Sequence, residues 1–174
     1  MVVTKKEEPM FFPIYIDLTG KQILVVGGGM IASRRVRALA GFAGKITVVA
    51  PKIRPELAAL ADSDSVRLLQ RPYSEQDLDG MDFVLAATDD PALNARIGAA
   101  CRKKGIAVNV CSDQMLCDFQ FPSIVQQGDL VVGINASGRD HGLVKRTRKK
   151  IEQALGVQES RYQTEEKACF RKEI

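Results

Sequence analysis

Long apolar runs and secretion signals are absent from this sequence of 174 residues. The longest stretch without a charged side chain covers residues 22–33, twelve residues that include three glycines, whereas a membrane-spanning helix needs about 20 apolar residues. The N-terminus, MVVTKKEEPMFFP, lacks the basic start, apolar middle and cleavage site of a secretory signal. We therefore expect a cytoplasmic protein without a membrane-spanning helix.

Histidine and cysteine are scarce as well. The single histidine, His141, argues against a Ser-His-Asp triad and against a metal centre built from several histidines. The four cysteines do not have the C-x2-C spacing of structural zinc sites, and in a reducing compartment they are expected to be free thiols. We predict no metal site and no disulfide.

What the sequence does have is the composition of one ordinary domain with a small appendage, 45% hydrophobic and 26% charged residues. Its net charge of +4 is unevenly distributed. Residues 139–150 hold six basic side chains and one acid, so the rest of the chain is net negative. Such a basic patch attracts anions, whether nucleic acid, an acidic membrane surface or a polycarboxylate, and charge alone does not choose among them.

Hydrophobic periodicity predicts alternating strands and helices in the first two thirds of the chain. After residue 111 the pattern changes to a hairpin and a final helix, followed by a polar tail. Alternation of this kind is typical of an α/β fold with a parallel sheet. The predicted strands are 22–26, 45–49, 66–69, 83–87 and 106–110, the helices 32–40, 55–61, 91–104 and 143–155, and the hairpin strands 119–125 and 130–135.

A glycine turn, Gly27-Gly28-Gly29-Met30-Ile31-Ala32, reads G-x-G-x-x-A between the first strand and the first helix. In this position Gly27 permits a tight turn, Gly29 lets the backbone approach a pyrophosphate, and Ala32 lets the helix lie close to the strand. The helix N-terminus then offers N–H groups to the phosphates. The alternative is a purely steric turn.

The acid that usually follows the second strand and binds the adenosine ribose is missing. Lys52 and Arg54 stand there instead. They suit the 2′-phosphate of NADP, or they form a solvated loop while a backbone group serves the ribose of NAD.

Several segments together resemble one family. They are residues 11–39, Val49-Ala50-Pro51, the AATDD run at 86–90, Asn94, Val108-Asn109-Val110 and the F-x-F-P run at 119–122. In this order and spacing they are similar to the precorrin-2 dehydrogenases of siroheme synthesis, some of which are also sirohydrochlorin ferrochelatases.

The resemblance implies a Rossmann-like NAD-binding domain over residues 1–112, a β dimerisation region over 113–141 in a homodimer, and a short helical C-terminal segment over 142–174. It implies oxidation of precorrin-2 to sirohydrochlorin with NAD as hydride acceptor, and Fe²⁺ as a substrate if ferrochelation is also present. The implied cofactor contacts are Gly27, Gly28, Gly29, Met30, Ile31, Pro51, Lys52 and Thr88.

The chain departs from the family at two places. The essential aspartate of the family falls on Ser112, and an aspartate follows one residue later as Asp113. We predict Asp113 as the catalytic base if a turn re-aims it, with Ser112 as a hydrogen-bonding partner. Ala136 and Asp140-His141 replace residues that many members carry, which weakens the ferrochelatase prediction, although His141 could handle a proton.

Substrate contacts are predicted at Asn109, Ser137, Lys145 and Arg146, because the substrate carries many carboxylates. The alternative for the basic helix is a solvated face. The competing function is a non-catalytic NAD(H)-sensing module whose basic helix binds nucleic acid or a protein. We rank it lower, because no helix-turn-helix or aromatic partner accompanies the basic run, and expect neither nucleic-acid nor membrane binding.

Overall fold

The computed structural model of the protein describes residues 11–62 and 64–157. These residues form two compact units. The first, Asp17–Phe121, is called the sheet unit. The second, residues 11–16 together with 122–157, is called the hairpin unit. The C-terminal tail, with Cys169 and the weak helical pattern of Tyr162 and Phe170, lies outside the described residues.

The sheet unit is built on five parallel strands in the order β3-β2-β1-β4-β5. β1 therefore lies in the middle, and the chain reverses its direction of travel across the sheet between β1 and β4. In open α/β sheets ligands bind at the carboxyl ends of the strands where this reversal occurs. The strands are β1 (Gln22–Val26), β2 (Lys45–Val49), β3 (Val66–Leu69), β4 (Phe83–Ala86) and β5 (Ala107–Val110).

Both faces of this sheet are buried, which explains why β1 is a continuous apolar run. Ile23 and Val25 point into one core with residues of α1 (Met30–Leu39), whereas Leu24 and Val26 point into the other with residues of α3 (Pro91–Lys104). Because successive side chains of a strand alternate in direction, one strand contributes to both cores.

Helix α3 begins and ends where local chemistry predicts. Asp90 caps α3 by accepting hydrogen bonds from the backbone N–H groups of Ala92 and Leu93, and Gly105 ends the helix in a left-handed conformation with φ of 69°. The helix predicted at 55–61 is α-helical only over α2 (Pro55–Ala58) and continues as a 3₁₀ turn over Ala59–Asp62. Two further 3₁₀ turns cover Glu75–Leu78 and Gln114–Leu116.

The hairpin unit contains the antiparallel strands β6 (Ser123–Gln127) and β7 (Leu130–Ile134), followed by α4 (His141–Ala154), which packs on both. Gly128 makes the turn with φ of 55°. Inside α4 the buried carboxylate of Glu152 pairs with Arg148 one turn earlier, at 2.8 Å. The predicted α/β fold, with a Rossmann-like parallel sheet, a small β region and a C-terminal helix, is therefore confirmed.

None of the helices within the described residues is both long and apolar enough to span a bilayer. In the same part of the chain, Cys101, Cys111 and Cys117 are free thiols, and no three His, Cys, Asp or Glu side chains are grouped so as to hold a metal ion.

Candidate functional site

The glycine turn lies at the carboxyl end of β1 and is held between the loops that follow β2 and β4. Gly27 has φ of 128°, and a Cβ at this position would overlap the carbonyl of Ala87, just after β4. A Cβ on Gly28 would overlap the carbonyl of Lys52, just after β2. A Cβ on Gly29 would meet nothing within 4 Å. The first two positions thus require glycine because neighbouring backbone occupies the space of a side chain, whereas the third has open space around it.

Helix α1 starts at this open position. Gly29 is its N-cap, no side chain caps the helix, and its first turn contains no acid. The first N–H groups of a helix have no partner within the helix, and the helix dipole favours an anion beside them. Met30 and Ile31 are 49% and 41% exposed. This end of α1 therefore fits a pyrophosphate group.

The loop after β2 packs directly on the glycine turn. The Arg54 N–H donates to the Gly28 carbonyl at 3.0 Å, while Pro51 and Lys52 are exposed beside it. Along this loop the side chains offer no carboxylate to a ribose until Glu56, which pairs with Arg54 at 3.2 Å.

Asn94 connects the loop after β4 to the end of β5, a role that was not predicted from the sequence. This side chain is fully buried. Its Oδ1 accepts from the Thr88 N–H (3.1 Å) and hydroxyl (2.7 Å), and its Nδ2 donates to the Thr88 carbonyl (3.0 Å) and to Ser112 Oγ (3.3 Å). Thr88 and Ser112 are thereby brought together. A signal was present, because Asn94 is a polar residue on the stripe that buries Ile97 and Cys101.

Asp113 lies immediately after Ser112, where the chain leaves β5. Its N–H donates to the Val110 carbonyl at 3.1 Å, and its Oδ1 accepts from the Met115 N–H at 2.9 Å. The residue therefore caps the 3₁₀ turn Gln114–Leu116 and is exposed. This is a turn of the kind that can re-aim a carboxylate away from the alternation of the strand.

Asn109, predicted to bind substrate, is buried and forms its hydrogen bonds within the protein. Its Nδ2 donates to the Phe119 carbonyl at 2.9 Å and lies 3.5 Å from the Cys117 sulfur, and its Oδ1 accepts from the Cys111 thiol at 3.5 Å. Burial raises the pKa of both thiols. Asn109 thus orders the segment after β5 in this structure.

The remaining predicted residues lie in the hairpin unit, around the start of α4. Ser137 has φ of 54°, unusual for a residue with a side chain, and its N–H donates to Asn135 Oδ1 at 2.8 Å. His141 is the exposed first residue of α4, and Lys145 follows one turn later. The guanidinium of Arg146, also exposed, is 4.0 Å from the carboxylate of Asp140, the N-cap of the helix.

The strand order and the glycine turn at the reversal between β1 and β4 define a Rossmann-type dinucleotide-binding protein. A family model described as "Putative NAD(P)-binding" matches residues 14–123. The chain belongs to this family. The prediction of a dinucleotide cofactor from the glycine turn is confirmed at this level.

Relatives of the chain are named siroheme synthases. The chain is 43% identical over 142 residues to siroheme synthase of Ectopseudomonas mendocina and 40% identical over 145 residues to siroheme synthase 1 of Cronobacter sakazakii. These matches cover 82% and 83% of the chain but only 30% and 31% of the relatives. The chain thus spans about a third of their length.

A solved structure with the same fold is that of SirC, a precorrin-2 dehydrogenase. Its TM-score to this chain is 0.69 at 29% identity, and the match covers 83% of this chain and 71% of that one. The resemblance drawn from the sequence is confirmed by these comparisons.

Proposed function

We propose that this protein oxidises precorrin-2 to sirohydrochlorin with NAD⁺ as the oxidant, a step of siroheme biosynthesis. The observation that carries the proposal is the uncapped start of α1 beside the open side of Gly29, at the reversal point of the sheet. The names of the matched relatives supply the substrate. The reaction removes two hydrogens, so that precorrin-2 and NAD⁺ yield sirohydrochlorin, NADH and one proton.

The residues of the chain have separate tasks in this proposal. The glycine turn with Met30 and Ile31 holds the pyrophosphate, and Pro51 and Lys52 lie where the adenosine ribose is bound. Thr88, fixed by Asn94, lines the end of β4. When bound, the nicotinamide ring of NAD⁺ accepts a hydride from the substrate.

The second hydrogen leaves as a proton. Asp113 is the proposed base, Ser112 donates or accepts a hydrogen bond beside it, and His141 is the proposed auxiliary proton carrier. The support for Asp113 is its position in the turn that follows β5, next to the Ser112 hydroxyl that Asn94 holds.

Binding of the substrate carboxylates is assigned to Lys145 and Arg146 on α4, with Ser137 as a polar contact. Asn109, whose side chain is buried and hydrogen-bonded within the protein, supports the site by ordering the segment after β5. The exposed cations of α4 support this assignment, since charge-assisted hydrogen bonds to carboxylates are strong. We place the reaction in the cytoplasm. Insertion of Fe²⁺ into sirohydrochlorin, a lyase reaction, is a second candidate activity, supported by the names of the siroheme synthase relatives.

A homodimer formed through the hairpin unit is part of the proposal. Within the described residues β6 and β7 pair only with each other, so each strand has an open edge. Large apolar side chains of the same unit are exposed, among them Phe12 (85%), Tyr15 (75%) and Leu130 (49%). Exposed apolar surface and open strand edges favour association with a second copy. A monomeric mass in light scattering at micromolar concentration would exclude it.

The function is tested by anaerobic incubation of the protein with precorrin-2 and NAD⁺, followed by Fe²⁺. NADH absorbance and the sirohydrochlorin spectrum report the first step, and loss of that spectrum on addition of Fe²⁺ reports the second. Gly29→Asp places a carboxylate in the pyrophosphate space and should abolish NAD⁺ binding, whereas Gly29→Ala is its small, neutral control. DNA retention that depends on salt, without any turnover, would favour the sensing module instead.

The base is tested with two variants of Asp113. Asp113→Asn keeps an oxygen that caps the turn but cannot take a proton, so turnover should fall by about 100-fold or more with an unchanged Tm. Asp113→Ala loses both roles. Unchanged turnover in Asp113→Asn would mean that another group is the base.

A further inference from the structure

Arg35 is a cation placed against an aromatic ring inside the sheet unit. It lies on α1, and its guanidinium carbon is 4.1 Å from the centroid of the Phe121 ring. Its Nε is buried and, in the part of the chain that the structure describes, has no hydrogen-bond partner. The Arg35 residue as a whole is half-buried.

Among the described residues no negative charge compensates Arg35. The groups that act on its charge are the Cys111 and Cys117 thiols and a second cation, Arg34. No carboxylate of the described residues lies within ion-pair distance of it. Burial is the main reason why the pKa of Arg35 is lowered. A buried charge without a counter-ion is costly, so an anionic ligand group would be strongly favoured here.

The position of Arg35 distinguishes the possible anions. Arg35 is five residues after Met30, which is about 7 Å along the helix axis from the end of α1 that fits the pyrophosphate. It interacts instead with Cys111, the residue directly before Ser112 and Asp113. The group that Arg35 would bind therefore lies near the end of β5, from which the chain continues into Ser112 and Asp113, rather than at the phosphates.

We propose that Arg35, supported on Phe121, binds a carboxylate of the tetrapyrrole. Its guanidinium supplies donors in a planar fork that matches a carboxylate, and Phe121 fixes its plane. The assignment rests on the proposed function, because it takes the tetrapyrrole as ligand. It makes Arg35 a substrate-binding residue on the sheet unit itself, separate from the cations of α4.

The test uses Arg35→Met, which keeps a long apolar side chain against Phe121 but removes the charge. The matched control is Arg67→Met, because Arg67 is exposed on the edge strand β3, at the opposite end of the sheet from β5. Three quantities are measured: the Kd for sirohydrochlorin by spectral titration, the Kd for NAD⁺ by calorimetry, and the Tm of the unliganded protein.

We expect Arg35→Met to weaken sirohydrochlorin binding about tenfold or more, which is about 1.4 kcal/mol. The Kd for NAD⁺ should not change, and Tm should stay or rise, because an uncompensated buried charge is removed. Arg35→Lys should recover part of the affinity. Arg67→Met should change none of the three. If Arg35→Met does not fold, Arg35→Lys and Arg35→Gln carry the comparison, the glutamine variant binding more weakly.

An unchanged Kd for sirohydrochlorin overturns the proposal. A lower Tm together with equally weakened binding of sirohydrochlorin and NAD⁺ also overturns the proposal, since a purely structural residue would give that result. Weakening of NAD⁺ binding alone would assign Arg35 to a phosphate instead. Absence of precorrin-2 turnover in the wild-type protein, with sirohydrochlorin binding that still depends on Arg35, would refute the proposed oxidation and leave the carboxylate site standing.

Discussion

The three glycines of the turn differ in what surrounds them, and this difference predicts a graded series of alanine variants. Gly27 has φ of 128°, in a region that other residues rarely adopt, and an added Cβ would overlap the Ala87 carbonyl. Gly28 does not have a positive φ, but an added Cβ would overlap the Lys52 carbonyl. Gly29 has φ of −85° and open space around its Cβ position.

The magnitudes follow from these two terms. Backbone strain costs about 1–3 kcal/mol, and overpacking against atoms that cannot move aside costs about 1–3 kcal/mol. Gly27→Ala carries both, so its free energy of unfolding should fall by about 2–6 kcal/mol, a large part of the roughly 5–15 kcal/mol of a typical domain. Gly28→Ala carries only the second term. Gly29→Ala carries neither term, so its free energy of unfolding should stay within about 1 kcal/mol of the wild type, because alanine restricts the unfolded chain but is a poorer N-cap than glycine.

Thermal unfolding followed by circular dichroism measures the series. For a chain of this size 1 kcal/mol corresponds to roughly 2–4 °C in Tm. We therefore expect Gly27→Ala to melt lowest, then Gly28→Ala, with Gly29→Ala close to the wild type. The reasoning fails if Gly27→Ala melts with the wild type, or if Gly29→Ala is the least stable of the three.

Two further predictions concern buried and paired side chains. Asn94→Leu should lower the free energy of unfolding by about 1–3 kcal/mol and accelerate amide hydrogen exchange at Thr88, because the Thr88 N–H loses its acceptor; unchanged exchange would show that another acceptor replaces Asn94. Hydrogen bonding to Arg71 lowers the pKa of Asp77 below its ordinary 3.8. The stabilisation that the ionised Asp77 carboxylate provides is therefore fully present above pH 3.8, and it is lost as the pH falls through the lowered pKa. Asp77→Asn should destabilise the protein at neutral pH, and the difference from the wild type should shrink in acid melts; a constant difference would contradict the pairing.

Local patterns were sufficient for most of the fold. The apolar runs and the turn residues predicted most elements to within two residues, because hydrophobic burial and local turn chemistry act between neighbours in the chain. The first hairpin strand is an exception, since it was predicted from residue 119 and β6 begins at Ser123. The 3₁₀ continuation after α2 was missed. The sequence pattern of residues 55–61 is compatible with an α-helix and with a 3₁₀ helix, and packing against β3 and α1 decides between the two.

The sequence by itself determined the glycine turn and the missing acid after β2. These are questions of which residue stands at which spacing. Only the tertiary structure decided that Gly28 is needed to accommodate Lys52, that Asn94 joins Thr88 to Ser112, and that Arg35 is a half-buried cation on Phe121. Each of these depends on contacts between segments far apart in the chain, and such contacts exist only once parallel strands have brought their carboxyl ends together.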